Sequence, residues 1–239
     1  MCGRFALTQT PNTVQAWFAY PERPNFPPRY NIAPTQPVAV VLQRDGAPHF
    51  ILMRWGFIPG FVKDPKDFPL VINIRAETAA QKPSFRNALQ RRRCLIPADG
   101  FYEWQRLGKT SQPFLIRRPD QGLFAFASLW ETWSGADGSE IDTVAILTTQ
   151  ASGLLAGIHE RTPVVLNRDA SGAWIEPDLR PAEIEAFLKS PPDDFFEALR
   201  IGNAVNRVAN DDASLQVPIV APRRAERPAR RDDPQGSLF

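Results

Sequence analysis

Apolar positions in this chain fall into short runs, most of them closed within a few residues by Gly, Pro or Asp. The runs at 38–44 (VAVVLQR) and 49–55 (HFILMRW) flank Asp45-Gly46, a dipeptide that favours a tight hairpin turn. Further strand-like runs occupy 94–98, 101–105, 113–118, 123–130 and 141–149, with turn signals such as Asp99-Gly100 and Asp137-Gly138 between several of them. Helical signals are confined to short stretches. Thr10 to Tyr20 opens with an N-cap threonine and a proline at the first helical position; segments 84–90, 181–190 and 194–200 also read as helices. A last strand is expected at 215–220, and 21–28 and 56–70 read as proline-bearing loops. No repeat period is present. Many short strands with helices at the margins predict an α+β fold with a mainly antiparallel, barrel-like β-sheet core and peripheral short helices.

Composition narrows the class. The 239 residues, 43% hydrophobic and 23% charged, suit one large soluble-type domain or a domain with a tail. Proline, at 24 residues, is about twice its ordinary share and favours turns and short strands over a helical bundle. No apolar run approaches the ~20 residues of a membrane span. The opening Met1-Cys2-Gly3-Arg4 lacks a signal-type apolar stretch, and Cys2 stands where myristoylation needs glycine. Neither membrane association nor export is therefore expected. From Arg223 the chain holds five Arg and three acids in its last 17 residues and no large apolar residue before Leu238-Phe239. The expected organisation is one domain over 1–222 and a disordered Arg/Pro-rich tail over 223–239.

Net charge is only +2, but the cations are 23 Arg and 5 Lys. Guanidinium forks suit phosphate; codon usage in a GC-rich genome gives the same count, and the count leaves both readings open. Cys2 and Cys94 read as free thiols in a reducing cytosol. Cys2, His49, Cys94 and His159 lack the paired short spacings of a zinc site, so no metal or other cofactor is expected.

Cys2 carries the most chemistry. A small second residue permits removal of Met1, leaving an α-amine and a thiol on adjacent carbons. The amine's reference pKa is about 7.7–8.0, against about 10.4 for lysine, so near neutrality it is far more often unprotonated and nucleophilic. Such an amine attacks an aldehyde to form a Schiff base, and the neighbouring thiol can close onto the imine carbon as a five-membered thiazolidine. The alternative is an incidental cysteine near a frayed end. Glu103, between aromatic neighbours in DGFYEW (99–104), is a candidate for a raised pKa and general acid/base work, or a structural partner of an arginine. His159, in GIHERTPVVL (157–166), could shuttle protons or serve structurally, with Arg161 two residues on. Asn73, Arg75 and Glu77 lie together in LVINIRAET (70–78).

The segments MCGRF (1–5), RYNIAP (29–34), RWGFIP (54–59), NIRAET (73–78), ADGFYEW (98–104), HERTP (159–163) and AVNRV (204–208) resemble, in order, the motifs of the SRAP family, the SOS-response-associated peptidase-like proteins that protect abasic sites in single-stranded DNA. The resemblance covers roughly 2–220. It implies that Cys2, freed of Met1, bonds the abasic-site aldehyde as a thiazolidine. It also implies that Asn73 holds the terminal residue and opened sugar, that Glu103 is the general acid/base, and that His159 assists proton transfer, including reversal. Arg4, Arg75 and Arg161 would grip phosphates, Thr148 would line the pocket, and Trp55 and Pro34 would lie where the strand bends or meets a duplex. Ile74, Thr162 and Phe61 depart from the usual pattern without removing a chemical group.

The resemblance implies a DNA-damage protein, expected to be a monomer in the cytoplasm and nucleoid-associated in a bacterium, with single-stranded abasic DNA as partner. The run Arg91-Arg92-Arg93 with Arg86 is a further candidate DNA contact or a solvated face. The competing readings are a cysteine peptidase using Cys2, limited to self-removal of Met1, and a non-covalent DNA-binding module. The tail's Gln235, Leu238 and Phe239 fit the pentapeptide by which bacterial repair proteins dock on the sliding clamp, so that clamp is a second expected partner.

Overall fold

The computed structural model describes residues 2–219; the tail and its expected clamp peptide at Gln235, Leu238 and Phe239 lie outside them. In chain order the strands are β1 (Phe5–Leu7), β2 (Arg29–Ile32), β3 (Pro37–Arg44), β4 (Ala47–Trp55), β5 (Asn73–Arg75), β6 (Arg93–Ala98), β7 (Gly100–Leu107), β8 (Thr110–Arg117), β9 (Phe124–Ser134), β10 (Glu140–Gln150), β11 (Arg161–Pro163), β12 (Val165–Leu166) and β13 (Glu197–Arg200). The helices are α1 (Pro11–Phe18), α2 (Ala76–Ala79), α3 (Pro83–Arg91), α4 (Gly153–Ala156), α5 (Arg168–Trp174) and α6 (Pro181–Phe187). No helix among the described residues is long and apolar enough to cross a membrane.

The expected hairpin forms β3 and β4. Asp45 and Gly46 both take positive φ, 50° and 81°, the mirror-image turn whose twist matches the flanking strands, and the register runs from Arg44↔Ala47 to Pro37↔Arg54. Around it a five-stranded barrel closes. β4 pairs with β3, β3 with β6, β6 with β9, β9 with β10, and β10 returns to β4 at Thr143↔Arg54 and Val144↔Trp55. That last pairing is parallel and the other four are antiparallel. A second, antiparallel sheet lies in the order β13-β8-β7-β1-β2. Asp99 alone separates β6 from β7, so the chain steps directly from barrel to sheet. The Asp99 carboxylate fixes that step by accepting the main-chain N–H groups of Thr8 and Gln9.

β1 is an interior strand of this sheet, paired with β7 on one side and β2 on the other, which ties down the start of the chain. Phe5, 1% exposed, packs edge-on to Trp55 at 5.2 Å and to Phe126 at 5.6 Å. Burying such a ring contributes about 2–3 kcal/mol, and each edge contact about 0.5–1.5 kcal/mol more. A clip at the other end of the chain adds to this. Asn31, fully buried, donates to the carbonyls of Arg207 (3.1 Å) and Asn210 (2.6 Å) and accepts from Arg4 Nη1 at 2.7 Å. The AVNRV segment is therefore seated against β1 and β2, with Val205 in a small core beside Ala6, Tyr102, Leu115 and Ile201.

Two expected elements are corrected. Residues 194–200 are not helical: after Pro191-Pro192 the chain buries Phe196 and then lays β13 along β8, from Glu197↔Arg117 to Arg200↔Phe114. An open strand edge offers main-chain partners that a single helical turn cannot match. The strand expected at 215–220 is not formed over its described residues, 215–219, either. Ala213–Gln216 is a 3-10 turn, followed by one isolated bridge, Ile201↔Pro218. The expected helix from Thr10 forms as α1, capped by the Thr10 side chain accepting from Thr13 N–H and ended by Ala19 in the left-handed region.

Candidate active site

The C-terminal end of β10 assembles the site. One edge of β10 receives β5 in parallel, with Ile146↔Asn73 and Thr148↔Arg75; the other receives β11, with Thr148↔Pro163 and Gln150↔Arg161. Asn73 and Arg75 therefore lie on one side of Thr148, and Arg161 on the other. From the second sheet, β7 supplies Glu103. Phe101 pairs with Phe5, and Tyr102 N–H donates to Arg4 C=O, so the register carries Glu103 alongside Gly3 and Cys2. Gln105, two residues on and on the same face of β7, donates to Gly157 C=O at 2.7 Å. This draws the loop bearing His159 towards the same point.

Residue 2 is the focus. Asn73 Nδ2 donates to the Cys2 carbonyl at 2.8 Å, while Asn73 Oδ1 is buried with no hydrogen-bond partner. Cys2 is 0% exposed. Burial pushes its thiol pKa well up and the neighbouring Glu103 charge pushes it further, against the opposing charge of the chain terminus, so the thiol is neutral near physiological pH. Burial also raises the Glu103 carboxyl pKa, opposed by positive charge at the chain terminus and on His159. The rise expected for Glu103 is therefore present, but its aromatic neighbours are not on its face. Tyr102 and Trp104 pack on the opposite face of the sheet, with Leu115 and Ile201. His159 follows α4 and is half-buried; its Nδ1 accepts from Arg161 main-chain N–H at 2.9 Å. That bond places the hydrogen of the neutral ring on Nε2.

The three arginines expected to grip phosphate differ sharply. Arg75 is exposed at the end of β5. Arg4 is engaged internally, with Nη1 donating to Asn31 Oδ1 at 2.7 Å and to Val205 C=O at 2.8 Å. Through Nη1 it braces β1 against the C-terminal clip, so the phosphate role expected of it would fall to the rest of a half-buried guanidinium. Arg161, whose side chain is 12% exposed, is held at both ends of its fork by Glu77, at 2.8 and 2.9 Å, and also donates to Thr148 C=O. Thr148 is fully buried, its hydroxyl donating to Ile74 C=O and accepting from Arg161. Trp55 is also fully buried, with its indole N–H donating to Ile72 C=O at 3.0 Å. Its ring packs inside the core, edge-on to Phe5, and leaves no exposed surface for the DNA strand expected there. Pro34 is half-buried and leads into a turn at Thr35 (φ 72°), whose N–H bonds Trp55 C=O; the site's side chains do not meet there.

Two residues with large roles carried no role in the sequence reading. Asn31 is a buried hub whose only signal was its place in RYNIAP. Glu77 was noted beside Arg75, but its pairing with Arg161 depends on two segments 84 positions apart. An acid in one polar motif and an arginine in another was the available signal.

Residues 1–208 match the family described as SOS response associated peptidase (SRAP). Over 220 residues the chain is 37% identical to the abasic site processing protein YoaM of Bacillus subtilis (strain 168), covering 90% of this chain and 97% of that protein. It is 34% identical to the abasic site processing protein YedK of Escherichia coli (strain K12), covering 92% and 100%. The abasic site processing protein HMCES of Gallus gallus is 29% identical, with 92% of this chain and 78% of that protein covered. A solved protein from Bacteroides thetaiotaomicron has the same fold, with a TM-score of 0.83 at 24% identity over 92% of this chain and all of that one.

Proposed function

The chain belongs to the SOS response associated peptidase (SRAP) family, and on that premise we propose that it processes abasic sites in single-stranded DNA by bonding them covalently to Cys2. The observation that carries this reading is the convergence on residue 2: an amide donor on its carbonyl and a burial-raised carboxyl beside its thiol. Removal of Met1 turns the Cys2 nitrogen into an α-amine at the same place. The amine adds to the aldehyde carbon of the ring-opened sugar. Glu103, protonated, gives its proton to the departing hydroxyl, and water leaves as the iminium forms. The Cys2 sulfur then adds to the same carbon, its proton passes back to the Glu103 carboxylate, and the thiazolidine closes. One water is released and nothing is oxidised. A neutral thiol suits this last step, because the neighbouring Glu103 carboxylate can take its proton as the sulfur adds.

Asn73 holds the terminal residue in line, His159 relays protons in both directions, and exposed Arg75 meets the backbone phosphate. The same iminium supports a weak strand-cleaving lyase activity. A general cysteine peptidase is disfavoured by the thiol itself, since a buried thiol beside a carboxylate is a poor amide nucleophile. Incubation with an oligonucleotide bearing one abasic site tests the reading. The expected result is an adduct that survives denaturation in wild type and at most a labile Schiff base in Cys2→Ser and Cys2→Ala, which keep the amine but lose the thiol, with casein left intact. A heat-stable adduct from Cys2→Ala overturns ring closure by this thiol.

A further inference from the structure

The segment after β5 carries a carboxylate that touches neither Cys2 nor any expected substrate atom, yet ties together the strands that build the site. Glu77 Oε1 accepts from Arg161 Nη1 at 2.8 Å and from Gln150 main-chain N–H at 3.2 Å; Oε2 accepts from Arg161 Nη2 at 2.9 Å. These bonds join α2, and through it Asn73 and Arg75, to the ends of β10 and β11. The Glu77 carboxyl is held below the usual range first by its bonds to Arg161, so it is ionised wherever the protein works.

Arg161 is also the residue that addresses His159. The His159 Nδ1 atom lies 2.9 Å from Arg161 main-chain N–H and 3.2 Å from Arg161 C=O. Those two groups ask opposite things of the ring. The N–H requires a bare Nδ1, which leaves the hydrogen on Nε2; the carbonyl requires a hydrogen on Nδ1. The N–H contact is the shorter of the two, so the placement of the Arg161 main chain decides which bond the ring makes. We propose that Glu77 is a positioning residue: by clamping Arg161 it fixes the main chain at the start of β11 and so selects the His159 tautomer that presents Nε2–H to the reaction.

This rests on the reading of His159 as the proton relay in abasic-site bonding, and the test separates the two. The variant is Glu77→Gln, which keeps the shape and removes the charge that grips the guanidinium. Three measurements are made on wild type and variant. The first is the 15N spectrum of the His159 ring over a pH series. The second is affinity for single-stranded DNA carrying a tetrahydrofuran abasic analogue, which has no aldehyde. The third is the rate of adduct formation at saturating true abasic DNA. Wild type is expected to show one neutral tautomer with hydrogen on Nε2, and the variant a mixture. Analogue affinity is expected to stay within about twofold or tighten, because a negative charge is lost beside the DNA path. The saturating rate is expected to fall on the order of tenfold to a hundredfold, as misplacement of a proton-transfer group does. Unchanged analogue binding also shows that the variant is folded. A variant that keeps the single Nε2–H tautomer overturns the proposal, as does a mixed tautomer with a wild-type saturating rate. Absence of an adduct from wild type instead refutes the covalent reading, while the 15N spectra still decide whether Glu77 sets the ring.

Discussion

Asn73 gives the sharpest test of how the chain end is held. Its Nδ2 donates to Cys2 C=O at 2.8 Å while Oδ1 is buried with no hydrogen-bond partner, so the amide's one hydrogen bond is to the chain end. A hydrogen bond in such a place contributes a net ~1 kcal/mol, and up to about 3 kcal/mol when its loss strands a buried carbonyl. If the bond keeps residue 2 in line for the aldehyde, Asn73→Ala lowers the competent population by about fivefold to about 150-fold, since each 1.4 kcal/mol is tenfold. Asn73→Asp is the stricter variant. It preserves shape, replaces the donor by an acceptor facing the Cys2 carbonyl, and adds a negative charge near Glu103; its rate should fall below that of the alanine variant. The assay is single-turnover adduct formation on a one-lesion oligonucleotide, quenched and resolved under denaturing conditions, with circular dichroism confirming the fold. A wild-type rate from Asn73→Asp would refute the reasoning, because no rotation of a carboxylate restores the lost N–H.

Three further variants test the same structure. Glu103 has its carboxyl pKa raised by burial above the ordinary 4.5; such a group favours folding while protonated and loses that contribution as pH rises through its folded value. Glu103→Gln should therefore gain melting temperature over wild type as pH climbs from the ordinary carboxylate range to neutrality, while adduct formation drops about 10²–10⁴-fold; a gap that narrows with rising pH contradicts the burial argument. On single-stranded DNA, Arg75→Ala should flatten the slope of log affinity against log salt by about 0.7, the loss of one phosphate contact. Arg4→Ala should leave that slope unchanged and instead cost about 2 kcal/mol of stability in urea titration, because its bonds run to Asn31 and Val205; a slope change equal to that of Arg75→Ala would show that Arg4 reaches DNA.

Local signals read correctly where the chain decides its own conformation. Thr10-Pro11 and Asp45-Gly46 set a cap and a turn that no distant contact revises, and the barrel strands had the apolar runs of buried β-structure. The sequence failed where a distant edge decides. Residues 197–200 are a strand only because β8 offers them an open ladder, and β5, β11 and β12 are too short to show a period. The site shows the same division. Cys2, Asn73, Glu103 and His159 were legible because their chemistry and motifs named them. The fates of Arg4, Arg161 and Trp55 were not, because exposure depends on which partners arrive from 201, 84 and 17 positions away. Motif membership marked these residues as important without saying whether they face DNA or the interior.

The central claim is a bond between the Cys2 amine and thiol and one lesion carbon, and the intact mass of the purified adduct tests it most directly. The predicted mass is that of the chain without Met1 plus the abasic oligonucleotide, less one water, with Cys2 as the modified residue after proteolysis and no free thiol left on it. An adduct of chain still carrying Met1, or one in which Cys2 retains a free thiol after heating, contradicts the account.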